Sequence, residues 1–575
     1  DEFGAVSAIL VTRNGDGYYK APTVVITGDG SNAAAVAYIG AGKEVTGMVN
    51  FILDATYQSS EENFFPLHLE PFIGAGPGKT ITLKPAPSTT PAIYSTSGTG
   101  VFKLNGVDYF TLDGSNNGSA SQDLTLQYLA GSVNSAVIWI ASATDTDGAT
   151  NNVVKNCIIQ GSGPGTWTYA GIFSGGGISI ESNYFALSPN SNNTMENNKI
   201  FWARNGIVAL GKSTLETDQG LVIKNNQLGT EVSGEGFTNQ GIFIENQDGG
   251  LISGNHIQNI NYNSQYFWVT GIYISNAKNT NIAGNKIHQL RQVTAGASYW
   301  VDGIYQSAPA FNSADNPSGN IYVNNVIYDL TSNGESSYYN VIGIHNVKGW
   351  NDKYYYNSVY LSGQLNQYGS SNGGISACFS NGKGVNSTYA SNIEVKNNIF
   401  FINSNNPSGV NHHYAHYTVL TTYTGSILDY NLLYENVTGT AIGHIGYFNN
   451  TNQDDLEQWR LATLQDYASV SADPLFTTAT DLVPLAGSPV LGAGTPVPGI
   501  SIDFEGMPRD LVHPSIGAYE GTAVVYKLWN GVYSSDWSDG ANWTPAGIPQ
   551  STDNLVIPSG TPFTCILSAS GLLGC

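Results

Sequence analysis

The sequence predicts an all-β solenoid, a chain wound into stacked coils of short strands, and three observations carry that expectation. The first is a repeat, an Asn followed directly or after one residue by apolar residues. It appears as Asn156-Cys157-Ile158-Ile159, Asn198-Lys199-Ile200-Phe201, Asn226-Gln227-Leu228, Asn255-His256-Ile257, Asn285-Lys286-Ile287, Asn325-Val326-Ile327, Asn357-Ser358-Val359, Asn398-Ile399-Phe400 and Asn431-Leu432-Leu433. The second is a Gly-Ile pair opening a short alternating strand in phase with that repeat, at Gly171, Gly206, Gly241, Gly271, Gly303, Gly343 and Gly374. The third is the absence of a helical period between them: two strand signals per unit are divided only by Asn and Gly turns.

Each part of the unit has a physical reason. A sharp bend between strands needs a residue that tolerates the left-handed region, and Asn does so while its amide bonds locally. Stacked at one position in successive coils about 4.8 Å apart, such amides form a ladder along the axis. The expected rungs are Asn156, Asn198, Asn226, Asn255, Asn285, Asn325, Asn357, Asn398 and Asn431, whose spacings run from 28 to 42 residues. Uneven spacing on a constant coil means loops of different length inserted at one or two corners. The pattern resembles the right-handed parallel β-helix repeat (pectate-lyase-like) family from about Phe51 to Leu433. That resemblance implies a right-handed parallel β-helix, and because such helices often carry polysaccharide lyases and hydrolases it obliges a search for a site.

The flanks set the domain boundaries. Residues 1–50 hold short alternating strands around Asn14-Gly15 and Gly28-Asp29-Gly30, a small β unit; 51–450 is the β-helix. Residues 451–522 begin with the one convincing helix, Thr451 to Leu464, where Thr451 with Asp454 gives a capping-box-like start and Leu456, Trp459 and Leu464 share a face. The stretch after it, with Ser471-Ala472-Asp473-Pro474, Asp503-Phe504-Glu505-Gly506-Met507-Pro508-Arg509 and Ile516-Gly517-Ala518-Tyr519-Glu520, resembles the closing segment of bacterial surface β-helix proteins of the Bacteroidetes type, and the resemblance implies anchoring or sorting. Residues 523–575 open a Trp-rich β module at Trp529, Trp537 and Trp543 that is incomplete at Cys575.

Composition limits the partners. The 575 residues carry 21 Lys+Arg against 43 Asp+Glu, a formal charge of −22, with 11% charged residues overall. A nucleic acid or an anionic membrane surface needs a basic face, so both are excluded as partners. No run approaches the roughly 18 apolar residues of a membrane helix, which excludes insertion. Gly, Asn, Ser and Tyr supply the polarity that charge does not, a secreted, bacterial composition.

The search for chemistry finds little. β-Elimination from a uronate needs a base and a cation, and Arg204, Arg291, Arg460 and Arg509 are scattered. Lys155, Lys224, Lys286 and Lys396, near rungs of the ladder, read as exposed strand residues that blunt a surface. Hydrolysis needs two carboxylates roughly 5–9.5 Å apart. The densest acidic pattern, Asp145-Thr146-Asp147-Gly148, offers alternate oxygens for calcium but lacks the distal Glu of an EF-hand, so a plain turn is expected, with calcium the one cofactor to consider. Asp302 stands alone in its column, where neighbouring coils have Gln240, Thr270 and Ile342. In His412-His413-Tyr414-Ala415-His416 a regular strand sends 412 and 416 to one face, too far apart to share a metal, and a solvated loop is the expectation. Cys157 and Cys378 lie about six coils apart, roughly 29 Å, and should be buried free thiols, whereas Cys565 and Cys575 are close enough to pair. The runs Tyr299-Trp300, Tyr338-Tyr339 and Tyr354-Tyr355-Tyr356 either stack within the coil or meet sugars.

The expected function is therefore structural or adhesive: an extracellular or cell-surface β-helix without catalytic activity, whose partners are other copies of itself joined end to end into a filament, other surface proteins, or glycans. The alternative is a polysaccharide lyase or glycoside hydrolase on extracellular glycans.

Overall fold

A computed structural model describes residues 44–62, 64–163, 168–262, 268–294, 300–333, 339–365, 374–382, 391–405, 411–521, 526–550, 553–558 and 561–565. The small N-terminal unit expected over 1–50 lies almost wholly outside them. From Val49 the chain winds into a right-handed parallel β-helix of about 11 turns, almost without α-helix. Three sheets form its walls: a first of 12 strands from Val49–Leu53 to Ile427–Asp429, a second of 11 from Ala92–Ser95 to Leu432–Glu435, and a long third of 16 from Leu67–Leu69 to Thr451–Gln453. One coil shows the path. Val153–Lys155 lies in the first sheet, Cys157–Gln160 in the second and Ala170–Gly176 in the third, before Thr194–Glu196 returns beside Val153–Lys155 in parallel register. Inward side chains of all three walls, such as Ile172, Ile207, Ile242, Ile272 and Ile304, make one continuous core from Val45 to Trp459.

The corner between the first and second sheets divides the two tasks that the sequence assigned to one Asn. The residue before each rung takes the left-handed conformation: Asn197, Asn225, Asn324 and Asn397 have φ of 51°, 55°, 54° and 59°, and Gly254, Gly284, Tyr356 and Tyr430 fill the same place elsewhere. The next residue is the buried rung. Asn156 belongs to the first kind, with φ 60°, and is not in the ladder; the rung of its coil is Cys157, whose N–H donates to Asn198 Oδ1 at 3.0 Å. From Asn198 to Asn431 the ladder is unbroken. Each Nδ2 up to Asn398 donates to the Oδ1 of the next rung at 2.9–3.1 Å.

The Gly-Ile pair has a packing cause. At this bend of the long sheet both residues of the pairs from Gly171 to Gly343 face inward, and the glycine leaves no room for a side chain; Gly374-Ile375 is out of phase, because Phe379 pairs with Ile344, so Cys378-Phe379 takes the bend in that coil and Ile375 packs on the outer face. A Cβ on Gly303 would stand 2.5 Å from the Gly343 carbonyl and 2.7 Å from Ile327 Cγ2. Lys155 and Lys224 are surface strand residues as expected, paired with Asp113 at 3.2 Å and Glu196 at 3.1 Å.

The helix is shorter and later than expected, Leu456–Thr463. Thr451 belongs to the strand Thr451–Gln453, and the capping box is built by Asp455, whose Oδ1 accepts from Gln458 N (2.8 Å), and by Gln458, whose Oε1 accepts from Asp454 N (3.1 Å). Leu456 and Trp459 are buried, but Leu464 adopts the left-handed C-terminal conformation and is exposed. Trp459 lies over Gly446, His416 and Phe448, so the helix closes the end of the coil. The closing segment then runs back along the second sheet, burying Leu482, Val490, Ile516 and Tyr519 against Tyr328, Tyr360 and Phe401. Arg509 is its anchor. It stacks 3.8 Å from the Tyr356 ring centre and donates to Glu520 (3.1 Å) and Asn324 Oδ1 (2.8 Å). The Trp-rich module contributes the strands Tyr526–Trp529, Trp543–Thr544 and Asn554–Val556, with Trp529 and Trp543 buried edge to face.

Candidate functional site

In the first and second sheets the outward side chains are mixed: charged residues such as Lys155, Glu196 and Lys224, the pair His256–His288 with Nε2 atoms 2.7 Å apart, and positions covered by the closing segment. The long sheet differs. One outward row, read coil by coil, is Trp139, Phe173, Val208, Phe243, Tyr273, Tyr305, His345, Ser380, Tyr417 and Tyr447. Parallel in-register pairing places equivalent rings one coil apart, so they stack. Tyr273–Tyr305 and Tyr417–Tyr447 each have centroids 4.8 Å apart and planes within 10°. Because these faces are consumed by each other, the rings present edges and hydroxyls outward, not flat faces. Tyr273, Tyr417 and Tyr447 remain half-buried.

Two histidine–carboxylate centres interrupt the row. In the first, Asp302 is not alone. It lies one coil from His345, with Oδ1 3.1 Å from His345 Nδ1 and Oδ2 accepting from Trp300 Nε1 at 2.7 Å; both partners are fully buried. Trp300 stacks on Trp268 at 5.3 Å, and Tyr305 meets His345 edge to face. This is a sealed polar unit.

The second centre is open. The histidine-rich segment forms the strand His412–Thr418, not a solvated loop, and the inward bend at Ala415-His416 breaks the alternation. His412 and His416 therefore face opposite sides. His416 is buried in the core, its Nε2 2.9 Å from Tyr423 Oη, and burial pulls its imidazole down to about 3. His413 also points inward and is pulled down to about 3 by burial and by His412 and His444. His412 points outward, where its Nδ1 lies 2.9 Å from His444 Nε2, and His444 Nδ1 lies 2.6 Å from Asp454 Oδ1. The Tyr414 ring stacks on His444 at 5.1 Å while its hydroxyl donates to Asn452 Oδ1 at 3.0 Å. Sequence reasoning marked His412 but missed His444 and Asp454; the only signal was the column shared by Tyr414 and His444.

The other sequence candidates separate. Asp145 and Asp147 flank a turn closed by Ala143 N donating to Asp147 O at 2.8 Å. Burial first, then Asp108 and Glu70, push the Asp147 carboxyl up. Among the described residues no three His, Cys, Asp or Glu side chains are grouped to hold a metal. Cys157 and Cys378 are buried free thiols, as expected, and burial pushes both up. Cys565 is a free thiol, and Cys575 lies outside the described residues. Tyr354 stacks inside the coil on Tyr322 at 4.6 Å, Tyr356 lies under Arg509, and Trp300 joins the outer face; Tyr299 and Tyr338 lie outside the described residues.

No protein-family model matches the chain, and no curated protein matches it in sequence. Solved structures do. The mannuronan C-5 epimerase AlgE6 A-module of Azotobacter vinelandii is 13% identical, covering 68% of this chain and 91% of that one, with a TM-score of 0.37. The pectate lyase Pel9A is 10% identical over 83% of this chain and 97% of that one, with a TM-score of 0.36. The periplasmic alginate epimerase AlgG, a double mutant, is 13% identical over 69% and 82%, with a TM-score of 0.29. Likeness at this level concerns the winding of the coil and not its chemistry.

Proposed function

We propose that this chain is an extracellular glycan-binding β-helix whose ligand lies on the outer face of the long sheet. The observation that carries the reading is the two stacked tyrosine pairs, Tyr273–Tyr305 and Tyr417–Tyr447, each one coil apart on a weakly charged surface. Phenolic hydroxyls both donate and accept, which suits the hydroxyls of a sugar chain. A net charge of −22 disfavours polyanions, so neutral polysaccharides are the expected class. Among the described residues no helix is long and apolar enough to cross a membrane. The filament reading has a physical objection, since the helix carrying Trp459 covers the C-terminal end of the coil that a neighbour would need to pair with. The test is titration calorimetry with soluble xylan, glucan and mannan against pectate and alginate, on the wild type and on Tyr417→Ala/Tyr447→Ala. Neutral-glycan binding that the double substitution weakens tenfold or more supports the reading; no binding to any neutral glycan overturns it.

A further inference from the structure

The His412–His444–Asp454 chain has a direction, and the direction assigns it a task. Asp454 is 68% exposed at its side chain and accepts only, so the hydrogen in its 2.6 Å contact sits on His444 Nδ1. With that one hydrogen on the ring, His444 has a lone pair on Nε2. That lone pair accepts from His412, which fixes the second hydrogen on His412 Nδ1. His412 Nε2 is left with its lone pair outward, on a half-buried residue at the open end of the tyrosine row. Burial, and then His444, pull the His412 imidazole below its ordinary range, so the resting ring is neutral. His444, 5% exposed, is clamped from both sides and stacked on Tyr414, which fixes the geometry. A neutral imidazole with one nitrogen oriented by a relay and the other free is the arrangement of a general base.

We propose that His412 is the base of a metal-independent hydrolase that removes O-acyl groups from a neutral glycan held on this face. The glycan half of the proposal rests on the binding reading above; the base does not. Ester hydrolysis is the reaction class that one base without a paired acid can serve. His412 Nε2 takes a proton from water as the oxygen adds to the acyl carbonyl. The tetrahedral intermediate then expels the sugar oxygen, which receives that proton back, giving a carboxylic acid and a free sugar hydroxyl. Asp454 compensates the transient imidazolium through His444. Glycoside hydrolysis would need a second carboxylate across the bond, and uronate elimination a cation. Neither Lys nor Arg occupies the neighbouring outward positions Ala377, Ser380, Tyr414, Tyr417 and Tyr447. Among the described residues, the titratable groups around His412 apart from the relay are those tyrosines, inward His413, and Glu435, which packs against Gly443.

The experiment measures acetate release from acetylated xylan and hydrolysis of 4-methylumbelliferyl acetate, with binding of deacetylated xylan followed separately. The full chain, His412→Gln, Asp454→Asn and an exposed control, Asn333→Ala, are compared after their thermal midpoints have been matched. Saturable turnover is expected from the wild type and the control. His412→Gln should lower kcat about 100-fold or more, the usual worth of a general base. Asp454→Asn, which cannot fix the His444 tautomer, should lower kcat and displace its pH midpoint with KM unchanged. Hydrolysis of the small ester without xylan binding would retain the base and remove the glycan. Absence of saturable turnover on both esters, or a His412→Gln variant as active as the wild type, would overturn the proposal.

Discussion

Replacing Asn285 by Ala tests the ladder at its centre. Asn285 is fully buried, and its amide makes four hydrogen bonds. Nδ2 donates to the Ile252 carbonyl (2.9 Å) and to Asn325 Oδ1 (3.0 Å); Oδ1 accepts from the backbone N–H and from Nδ2 of Asn255, both at 3.0 Å. Alanine removes all four. Asn255 Nδ2 keeps the Ile223 carbonyl and Asn325 Oδ1 keeps the Asn285 backbone N–H, so those two are only weakened. The Asn255 N–H loses its partner in a corner that water cannot reach, and the Ile252 carbonyl loses a donor. At about 1–3 kcal/mol per stranded buried group, the loss should be about 2–4 kcal/mol. A long solenoid need not unfold in one step, so a single global midpoint is a poor readout. Hydrogen exchange resolved by residue is better: protection of the amides of Asn255 and of its neighbours one coil either side should fall by a factor of 30 or more, while distant coils keep theirs. Asn333→Ala, which removes one 3.3 Å bond from an exposed side chain, is the reference and should change nothing. An Asn285→Ala effect within about 0.5 kcal/mol of that reference would show that the rungs do not hold the corner.

Gly303→Ala should destabilise by about 1–3 kcal/mol or more, because its Cβ meets the Gly343 carbonyl at 2.5 Å and backbone cannot yield as a side chain does; hydrogen-exchange protection around Gly303 unchanged from wild type would contradict the packing account. Arg509→Leu leaves the largely covered Glu520 carboxylate without its cation and should release the closing segment, read as new protease cleavage between 471 and 521 at an otherwise intact coil. Buried histidines and buried aspartates pull the pH dependence in opposite senses. Burial holds His288, His413 and His416 at about 3, so below their unfolded value of about 6.5 the unfolded chain binds protons that the fold refuses, and stability falls on acidification. Burial raises Asp218 and Asp352 to about 7, so from pH 7 down to about 3.9 the fold binds protons that the unfolded chain does not, and they act oppositely. Between about 6.5 and 4 the two sets oppose each other; below about 4, once the aspartates are protonated in both states, the histidines act alone and stability falls with further acidification. Hydrogen-exchange protection of the coils around His413 and His416 that is flat or rising as the pH falls from about 4 to about 3 would contradict these assignments.

What the sequence could show of this molecule was whatever repeats along it. Rung residues recur because every coil must satisfy the same corner, and Gly-Ile recurs in the six coils from Gly171 to Gly343 because they bend at the same place, so the fold and its sheets were legible. The ladder was misread by one residue at Asn156 because two adjacent positions both favour Asn for different reasons, one conformational and one through hydrogen bonding. Only the bonding partner separates them, and Cys157 can fill the second role with its backbone alone. The site fared worse for a related cause. Asp302 meets His345 from 43 residues away, and His412 meets His444 from 32, distances set by loops whose lengths vary from coil to coil.

A column can nonetheless be counted from a fixed landmark, and the Gly-Ile bend is one. Outward positions just before and just after it line up as Thr270, Asp302, Ile342, Ala377, Tyr414 and His444, and as Tyr273, Tyr305, His345, Ser380, Tyr417 and Tyr447. Counting from the bend would have put Asp302 beside His345, one coil and one row apart. It would also have put His444 beside the strand of His412. What counting could not supply is Asp454. That residue reaches His444 because the chain turns back after Phe448 into an antiparallel strand and a capping helix, at the one point where the solenoid stops repeating. The relay is thus assembled from two periodic positions and one aperiodic one. The inference follows that the cap is not only a lid on the core: loosening it should free Asp454 from His444. Replacing Trp459 by Leu, which unseats the helix from Gly446 and His416, should then reproduce the Asp454→Asn kinetics on the small ester without touching the relay itself. If kcat and its pH midpoint stay at wild-type values while the helix melts, Asp454 does not orient His444, and the direction assigned to the chain is wrong.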